Sequence, residues 1–298
     1  MKGLTTLRGL GRSELNELIE SALVYAGRAE KGETSGDQLS GRAVAMMFFE
    51  PSTRTRLYFE LAVNRLGGAL MTCEPDTAST KKGESLRDTT LTVTAIGADI
   101  LVVRHSEAGA PDAIHEWTGV PVVNAGDGAN EHPTQALLDA VTLHRRFGSL
   151  QGLRMGIVGD IRQSRVAGSL FHAMPALGVD SVLIGPEFLL PEREPDGFEM
   201  STDLDSHLGD LDVLYLLRVQ RERGTLIPDD YIDRFRVDPE RAAAMKPEAV
   251  VMHPGPINRD VEITGDVADG PRSLILSQVA NGVPTRMALL AALRDGIT

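Results

Sequence analysis

The sequence predicts an α/β protein made of two doubly wound domains, each a parallel sheet flanked by helices, with the active site between them. Three observations lead to this fold class. Short apolar runs rich in Val, Ile, Leu and Met alternate with amphipathic stretches, the pattern of parallel sheets covered on both faces. A polar segment at residues 148–152 divides the alternation into two series. The length of 298 residues is enough for two domains of ordinary size.

The predicted elements follow one another in chain order. In the first series we expect strands at residues 43–49, 69–73, 100–104 and 120–124, and helices at residues 55–66, 85–96, 112–117 and 134–147. In the second we expect strands at residues 154–158, 181–184, 213–217 and 249–252, with the clearest helix at residues 165–177. A last helix, residues 277–293, follows the second sheet. We assign residues 1–134 and 281–298 to one domain and residues 135–280 to the other.

Composition excludes several classes of protein. The net charge of −12 argues against a general nucleic-acid binder, because phosphate backbones require a basic face. No apolar run approaches the roughly 18 residues of a membrane span, and residues 1–10 do not resemble a signal peptide. The single cysteine, Cys73, excludes an internal disulfide framework and a multi-cysteine metal site. A reducing cytoplasm fits this composition best.

The positive charge is carried mainly by arginine, which outnumbers lysine about five to one. Several arginines lie in segments rich in Gly, Pro, Ser and Thr. The guanidinium group binds a carboxylate or phosphate through two parallel hydrogen bonds, which an ammonium group cannot do. Genome composition is the simpler explanation for surface arginines such as Arg145 and Arg146. The arginines in the loop segments indicate an anionic ligand.

The strongest of these segments is Ser52, Thr53, Arg54 and Thr55, which joins an apolar strand to a predicted helix. A helix N-terminus offers free N–H groups and the positive end of its dipole, which suits a phosphate. Two hydroxyl groups and a guanidinium would add donors there. The alternative is a plain capped helix with solvated arginines, but a cap alone does not require Arg54.

Together with Arg56, this segment resembles the carbamoyl-phosphate signature of the aspartate and ornithine carbamoyltransferase family. In that family the Ser-Thr-Arg-Thr portion holds the phosphate, and the resemblance implies the same role here. It gives Arg56 a structural role, with Glu50 as the expected partner. The resemblance spans about residues 40–295 and rests on six segments in the family's order.

A second segment places His132 and Gln135 between a strand end and a helix, and Arg104 ends a buried strand. The resemblance implies that His132 and Arg104 bind the carbonyl oxygen of carbamoyl phosphate. It implies that Gln135 binds the carbamoyl amide and that Arg104 also contacts the phosphate. Such donors would stabilise the oxyanion of a tetrahedral intermediate.

A third segment, residues 80–85, is a Lys-Lys-Gly turn that could be an ordinary surface loop. In family members that act on aspartate, a similar loop enters the active site of a neighbouring subunit and supplies a lysine, which is Lys82 here. The resemblance therefore implies a homotrimer with shared active sites. The family's loop serine falls on Ala78 here, and Ser79 follows one place later.

The acceptor is expected to bind in the second half. The strand–Gly–helix turn at residues 159–165 could suggest a dinucleotide site, but the G-x-G-x-x-G spacing of such sites is absent. Instead Arg165, Arg218 and Gln220 match the family's aspartate-binding elements. Two arginines suit the two carboxylates of L-aspartate, and they would repel the cationic side chain of ornithine.

The last segment contains His253, Gly255 and Pro256. The resemblance implies that backbone carbonyls at Gly255 and Pro256 accept the carbamoyl NH₂ group and that the bond between these two residues is cis. The His-Cys-Leu-Pro sequence typical of ornithine enzymes is absent.

The expected reaction is transfer of a carbamoyl group to L-aspartate, the committed step of de novo pyrimidine biosynthesis, with neither metal nor redox cofactor. His132 is expected to donate a hydrogen bond rather than act as a base. Regulatory chains or a dihydroorotase are possible further partners. Two alternatives stay open: a transcarbamylase for another amino acid, and an inactive family member that serves as a scaffold for a partner enzyme.

Overall fold

The computed structural model describes residues 2–73, 84–219 and 229–294. The chain divides into two compact units, Met1–Val141 with Ala280–Thr298, and Thr142–Val279. It passes from one unit to the other inside two helices, α5 (Pro133–Phe147) and α10 (Ile275–Arg294). The sequence predicted that the chain crosses between residues 134 and 135 and between residues 280 and 281. In the structure it crosses between residues 141 and 142, inside α5, and between residues 279 and 280, inside α10. Neither helix has a loop at the crossing.

The first unit contains a parallel sheet in the order β2-β1-β3-β4. Its strands are β1 (Ala43–Phe48), β2 (Ala69–Cys73), β3 (Ile100–His105) and β4 (Val122–Asp127). Its other helices are α1 (Arg12–Glu30), α2 (Thr53–Arg65), α3 (Leu86–Ile96) and α4 (Ala110–Thr118). From β1 the chain moves outward to β2 and then returns to add β3 on the other side. The strand order therefore reverses between β1 and β3.

The second unit contains a parallel sheet in the order β7-β6-β5-β8-β9. Its strands are β5 (Arg154–Val158), β6 (Asp180–Ile184), β7 (Phe198–Ser201), β8 (Val213–Leu216) and β9 (Val250–Met252). Its helices are α6 (Arg165–Leu177), α7 (Tyr231–Phe235), α8 (Pro239–Ala244) and α9 (Gly265–Ala268). Here the strand order reverses between β5 and β8.

Each sheet has its own apolar core, as expected for strands buried on both faces. In the first unit Ala45, Met47, Leu101 and Val103 pack together with Val122. In the second unit a larger cluster joins strand residues such as Ile184 and Leu214 to helix residues such as Phe235. Helix α5 is buried on all faces over most of its length, so its polar side chains need partners inside the protein.

The predicted fold class, two α/β domains with parallel sheets flanked by helices, is confirmed. All eight predicted strands are present, and the largest difference is that β4 begins at Val122 and continues to Asp127. Helices α1, α7, α8 and α9 and strand β7 were not predicted. Strand β7 has only four residues and lies at an edge, where a half-exposed pattern resembles that of a loop.

Candidate active site

Polar side chains follow the two strands at which the first sheet reverses its order. Residues 52–55 come just after β1, and Arg104 lies near the end of β3. The two strands are paired, with Phe48 opposite Arg104, and the N–H of Phe49 donates to the Arg104 carbonyl at 2.8 Å. In open α/β sheets, ligands bind at the carboxyl ends of strands at such a reversal. This topology brings the first two predicted segments to one edge of the sheet.

The first turn of α2 offers donors to a ligand. Ser52 occupies the N-cap position, but its hydroxyl makes no capping hydrogen bond to the described backbone of the helix. The first N–H groups of a helix have no partner within the helix itself. Thr53 is exposed, Arg54 is half-buried and Thr55 is buried. Backbone N–H groups, hydroxyls and a guanidinium are therefore concentrated where the dipole favours an anion.

The Thr55 hydroxyl lies 3.5 Å from Nε2 of His132, although 77 residues separate the two in the chain. Both side chains are at least nine-tenths buried, and so is Gln135, one helical turn after His132. The structure thus places the predicted phosphate-binding segment beside the predicted carbonyl-binding histidine.

The loop that carries His132 is held by the buried carboxylate of Asp127. One oxygen of Asp127 accepts from the Asn124 side chain at 2.8 Å and from the backbone N–H of Glu131 at 3.0 Å. The other accepts from the N–H of Gly109 at 2.8 Å and from the Asn130 side chain at 2.9 Å. Four donors fix one carboxylate, so the residue that precedes His132 has a defined position.

Glu131 ties the same loop to the N-terminal segment. Its carboxylate accepts a hydrogen bond from the Thr6 hydroxyl and one from the N–H of Leu7 at 3.0 Å. The Asn124 side chain also donates to the carbonyl of Thr5 at 2.8 Å. The residues before α1 therefore brace the loop, a role that sequence patterns did not indicate.

Gln135 is oriented by Asp139, which lies one turn further along α5. Nε2 of Gln135 donates to Oδ1 of Asp139 at 3.0 Å, and both side chains are buried. A carboxylate can only accept, so the NH₂ end of the amide must face Asp139. The carbonyl end of Gln135 is then the end left for a ligand, where it can accept a hydrogen bond from an amide NH₂.

Arg104 is held from two sides. Its Nη1 donates to the carbonyl of Ala125 at 3.0 Å, and its Nε lies 3.8 Å from a carboxylate oxygen of Glu50. Arg56, for which the sequence suggested Glu50, makes an ion pair with Glu60 at 2.7 Å, one turn along α2.

In the second unit, the segments after β5 and β8 touch at the point where that sheet reverses. Gly159 has a φ of +123°, and a Cβ added there would lie 2.5 Å from the carbonyl oxygen of Leu217. The N–H of Leu217 donates to the Val158 carbonyl at 2.7 Å. Arg165 and Arg218 come after these two segments, so the predicted aspartate-binding arginines follow neighbouring strands in the chain.

Hydrogen bonds of the neighbouring residues fix the backbone beside both arginines. Arg165 is the first residue of α6 and is buried, and the Ser164 hydroxyl before it caps the helix by accepting from the Ala167 N–H at 3.2 Å. Next to half-buried Arg218, the N–H of Val219 donates to Glu262 at 3.0 Å.

Glu262 is a buried carboxylate that joins the segment after β8 to the segment after β9. Besides Val219, it accepts from the backbone N–H and the side-chain amide of Asn258, each at 2.8 Å. Burial raises the pKa of Glu262, and these donors and the charge of Arg218 oppose part of the rise.

His253 is also buried in this cluster. Its Nδ1 accepts from the Gly255 N–H at 2.8 Å, which leaves the ring proton on Nε2, 3.9 Å from Glu262. The bond between Gly255 and Pro256 is cis, so that prediction is confirmed.

Four positions named from the sequence, Lys82, Gln220, Ala78 and Ser79, lie outside the described residues. Among the described residues, no helix is long and apolar enough to cross a membrane. The same residues contain no group of three or more His, Cys, Asp or Glu side chains that could hold a metal ion.

One buried residue near the site, Arg286 on α10, was missed in the sequence. It is fully buried, its guanidinium lies 4.9 Å from the Tyr58 ring centroid and 5.6 Å from that of Phe59, and its Nη2 donates to the Thr134 hydroxyl at 3.1 Å. Burial lowers the pKa of Arg286 to about 10, and the nearby carboxylate of Asp139 limits the decrease. A single charge within the apolar stretch 284–293 was the signal that could have identified it.

Two family models match the chain and together cover most of it. Residues 2–145 match the aspartate/ornithine carbamoyltransferase carbamoyl-P binding domain. Residues 151–293 match the aspartate/ornithine carbamoyltransferase Asp/Orn binding domain.

Individual relatives agree with these models. The aspartate carbamoyltransferase catalytic subunit of Granulibacter bethesdensis is 46% identical over 296 residues, covering 97% of this chain and 94% of the relative. A crystal structure of aspartate transcarbamoylase from Trypanosoma cruzi, in complex with carbamoyl aspartate and phosphate, is 31% identical with a TM-score of 0.90. The match covers 98% of this chain and 95% of that one. Ornithine carbamoyltransferase from Thermus thermophilus is 28% identical with a TM-score of 0.86, covering 98% and 99%.

Proposed function

The chain belongs to the aspartate/ornithine carbamoyltransferase family, and we propose that its two sheet reversals hold the two substrates of an aspartate carbamoyltransferase. The reaction transfers the carbamoyl group of carbamoyl phosphate to the amine of L-aspartate and gives N-carbamoyl-L-aspartate and phosphate. The observation that carries the assignment of residues is the contact between Thr55 and His132. It joins a phosphate-binding segment to a carbonyl-binding histidine.

The phosphate of carbamoyl phosphate binds at the first turn of α2. Ser52, Thr53 and Thr55 supply hydroxyl groups, and Arg54 supplies a guanidinium beside the positive end of the helix. Arg104, at the end of the neighbouring strand, reaches both the phosphate and the carbonyl oxygen. Support for this arrangement comes from the pairing of β1 with β3 and from the Ser52 hydroxyl, which is not used as a cap.

The carbamoyl group is recognised by a donor and an acceptor. His132 donates from Nε2 to the carbonyl oxygen, and the Gln135 carbonyl accepts from the NH₂ group. The hydrogen bond from Gln135 to Asp139 supports this orientation of the amide. The backbone carbonyls at Gly255 and Pro256 also accept from the NH₂ group. Polarisation of the carbonyl lowers the barrier because the donors bind the developing oxyanion more strongly than the ground state.

L-Aspartate binds through its two carboxylates to Arg165 and Arg218, with Gln220 and Lys82 as further donors. The neutral amine then attacks the carbonyl carbon and forms a tetrahedral intermediate. When the intermediate collapses, the carbon–oxygen bond to phosphate breaks, and the leaving phosphate takes the proton from the amine. The pairing of β5 with β8 supports the placement of both arginines at one edge of their sheet.

The protein forms a homotrimer with shared active sites. This assembly is supported by the segment at residues 80–85, which resembles the family loop that enters the active site of a neighbouring subunit. Helix α2 also exposes two apolar side chains one turn apart, Leu57 and Leu61, which a subunit contact would cover. We place the enzyme in the cytoplasm, where a free thiol such as Cys73 stays reduced, and in pyrimidine biosynthesis, which uses N-carbamoyl-L-aspartate.

The function is tested by offering carbamoyl phosphate with L-aspartate or with L-ornithine and identifying the product. We expect N-carbamoyl-L-aspartate and phosphate in equal amounts, with ornithine unreactive. Arg54→Ala should abolish turnover, whereas Arg145→Ala, at an exposed position on α5, should not change it. Carbamoylation of ornithine, or full activity of Arg54→Ala, would contradict the assignment.

The shared site has its own test. Neither Lys82→Ala nor Arg54→Ala chains alone should form product. Mixed trimers of the two contain some sites with both residues intact if Lys82 comes from the neighbouring chain. Activity that returns on mixing would support the trimer, as would a solution mass of three times the 32.1 kDa chain. An active monomer would rule it out.

A further inference from the structure

Two buried charges lie behind the carbamoyl-binding side chains, Arg286 on α10 and Asp139 on α5. We propose that Arg286 is a positioning residue that acts through the Thr134 hydroxyl to hold His132 in the tautomer protonated at Nε2. The effect on rate rests on the proposed function, whereas the tautomer itself does not. The same pair of charges would then set which ligand-facing atoms donate and which accept.

The position of Arg286 is fixed independently of any substrate. Its Nη1 donates to the carbonyl of Gly282 at 3.2 Å, and the rings of Tyr58 and Phe59 lie under the guanidinium. A Cβ added at Gly282 would lie 2.6 Å from the Tyr58 ring, so α10 approaches α2 closely here. Since this side chain is fully buried, its hydrogen-bond geometry is not averaged by solvent.

The Thr134 hydroxyl accepts a hydrogen bond from Arg286 and can donate its own proton to His132. A guanidinium can only donate, so the Thr134 oxygen must accept from Nη2 of Arg286 at 3.1 Å. The hydroxyl proton then points away from Arg286, and Nδ1 of His132 lies 3.5 Å from the Thr134 oxygen. Catalytic hydrogen bonds in ligand-free sites are often this long and tighten only in the substrate complex. The second lone pair of this oxygen could also accept from Nδ1, but a buried hydroxyl proton needs an acceptor of its own. Among the described residues, Nδ1 of His132 is the only other hydrogen-bond contact of the Thr134 hydroxyl, which favours an unprotonated Nδ1.

A neutral imidazole that accepts at Nδ1 carries its proton on Nε2. Nε2 is the atom that lies 3.5 Å from the Thr55 hydroxyl, on the side of the phosphate-binding turn. The arrangement therefore presents an N–H group to the carbonyl oxygen of the substrate. The opposite tautomer would present a lone pair to that oxygen and could not polarise it.

Asp139 plays the complementary part at Gln135. It accepts from Nε2 of Gln135, so the amide presents its carbonyl to the ligand. A carbamoyl group has one acceptor, its carbonyl oxygen, and one donor group, its NH₂. The donor at His132 and the acceptor at Gln135 match that polarity, and their orientations are set by a buried cation and a buried anion respectively.

The chain of hydrogen bonds from Arg286 through Thr134 to His132, here called the relay, is tested with variants that differ by one functional group. Thr134→Val keeps the shape of the side chain and removes the hydroxyl, while Thr134→Ser keeps the hydroxyl. The matched control is Thr285→Val on α10, because the buried Thr285 hydroxyl donates only within its own helix, to the Asn281 carbonyl at 2.8 Å. If Thr134→Val does not fold, Thr134→Cys replaces it, because a thiol is a weak donor.

The decisive measurement is the ¹⁵N NMR spectrum of histidine-labelled enzyme, with the His132 signals assigned by their absence in His132→Gln. In the wild type, Thr134→Ser and Thr285→Val, we expect Nε2 to be protonated and Nδ1 unprotonated. In Thr134→Val we expect a mixture of the two tautomers. Protonated Nδ1 in the wild type, or an unchanged His132 spectrum in Thr134→Val, would overturn the proposal.

Kinetics provides the second readout. Thr134→Val should lower kcat about tenfold or more and change the KM for carbamoyl phosphate less, because hydrogen-bond donation to the carbonyl strengthens in the transition state. Thr134→Ser should restore most of the rate. A lower kcat with an unchanged tautomer would assign Thr134 a purely structural role and overturn the relay. A wild-type enzyme that forms no product would contradict the proposed function, while the NMR result would still decide the tautomer.

Discussion

The carboxylate of Glu50 lies 3.8 Å from Nε of Arg104, although the two residues belong to different segments of the chain. Glu50 follows β1 and Arg104 lies near the end of β3, so the ion pair spans the point at which the sheet reverses its order. Both side chains are mostly buried, with exposed fractions of 23% and 14%. The pair holds the Arg104 guanidinium beside the segment that follows β1, at a separation longer than that of a direct hydrogen bond.

Removal of the negative charge of Glu50 should weaken the binding of carbamoyl phosphate. We expect Glu50→Gln to raise the KM for carbamoyl phosphate about fivefold, the effect of losing an ion pair worth about 1 kcal/mol. The KM for L-aspartate should change less. Glu60→Gln, which removes the 2.7 Å pair with Arg56 on the same helix, is the control and should leave both constants unchanged. Equal effects of the two variants would contradict the role given to Glu50.

The carboxylate of Asp127 should stabilise the first unit. Asp127→Asn replaces one accepting oxygen by an NH₂ group that faces donors, and we expect the free energy of unfolding to fall by about 2 kcal/mol. The value of kcat should also fall, because the loop before His132 loses two of its hydrogen bonds. Chemical denaturation measures the first effect and steady-state assays the second. Asp180→Asn, at an exposed strand position, should change neither.

Glu262 should affect the binding of L-aspartate and not the binding of carbamoyl phosphate. Glu262→Gln loses at least one of the hydrogen bonds that hold Val219 and Asn258, and Val219 directly follows Arg218. We expect the KM for L-aspartate to rise about tenfold, the effect of about 1.4 kcal/mol, with the KM for carbamoyl phosphate little changed. A rise in the KM for carbamoyl phosphate alone would be inconsistent with this position.

The same variant should change the pH dependence of stability. Burial raises the folded-state pKa of Glu262 above 4.5, so the folded protein binds this proton more tightly than the unfolded chain does. The stabilisation is complete below 4.5 and is lost as the pH rises through the raised pKa. The stability of the wild type relative to Glu262→Gln should therefore decrease over that window and then level off. Thermal unfolding of both proteins across the window measures the difference, and a constant difference would exclude the effect.

Gly159 should be intolerant of a side chain. Gly159→Ala places a methyl group 2.5 Å from the Leu217 carbonyl and must separate the segments that lead to Arg165 and Arg218. We expect a loss of about 3 kcal/mol in stability and a higher KM for L-aspartate. Gly152→Ala is the matched control, since Gly152 also has a positive φ, +81°, but open space around its Cβ position. It should cost about 1 kcal/mol and leave the KM unchanged. Similar losses for the two variants would show that backbone strain, and not the contact with Leu217, is responsible.

The fold could be predicted from the sequence because its strands are short apolar runs bounded by polar turns. Strand β5 was predicted with the bounds that the structure has, and α6 likewise. The boundary between the units was less accurate, since the chain crosses within α5 and α10 and a continuous helix has no composition change at the crossing. Helix α1 was overlooked although Leu15, Leu18, Ile19 and Ala22 recur at helical spacing and are buried.

The site was predictable where residues lie close together in the chain and carry distinctive chemistry, as in the segment from Ser52 to Thr55. The supporting residues were not. Asp127, Glu262 and Arg286 act through partners that are distant in the chain, such as Gly109, Val219 and Thr134. A single sequence contains no signal for such pairs, because a buried ion and a solvated one are written with the same letter. Their roles follow only from three-dimensional contacts.

The insertion of the second unit between α5 and α10 has a consequence for biosynthesis. A ribosome produces residues 142–279 before it reaches Arg286, so the contiguous second unit can fold while the first still lacks α10. Until that helix arrives, Thr134 has no guanidinium beside it and Asp139 has no nearby cation on this side. His132 would therefore acquire its final polarity late, only after the whole acceptor-binding half has been made.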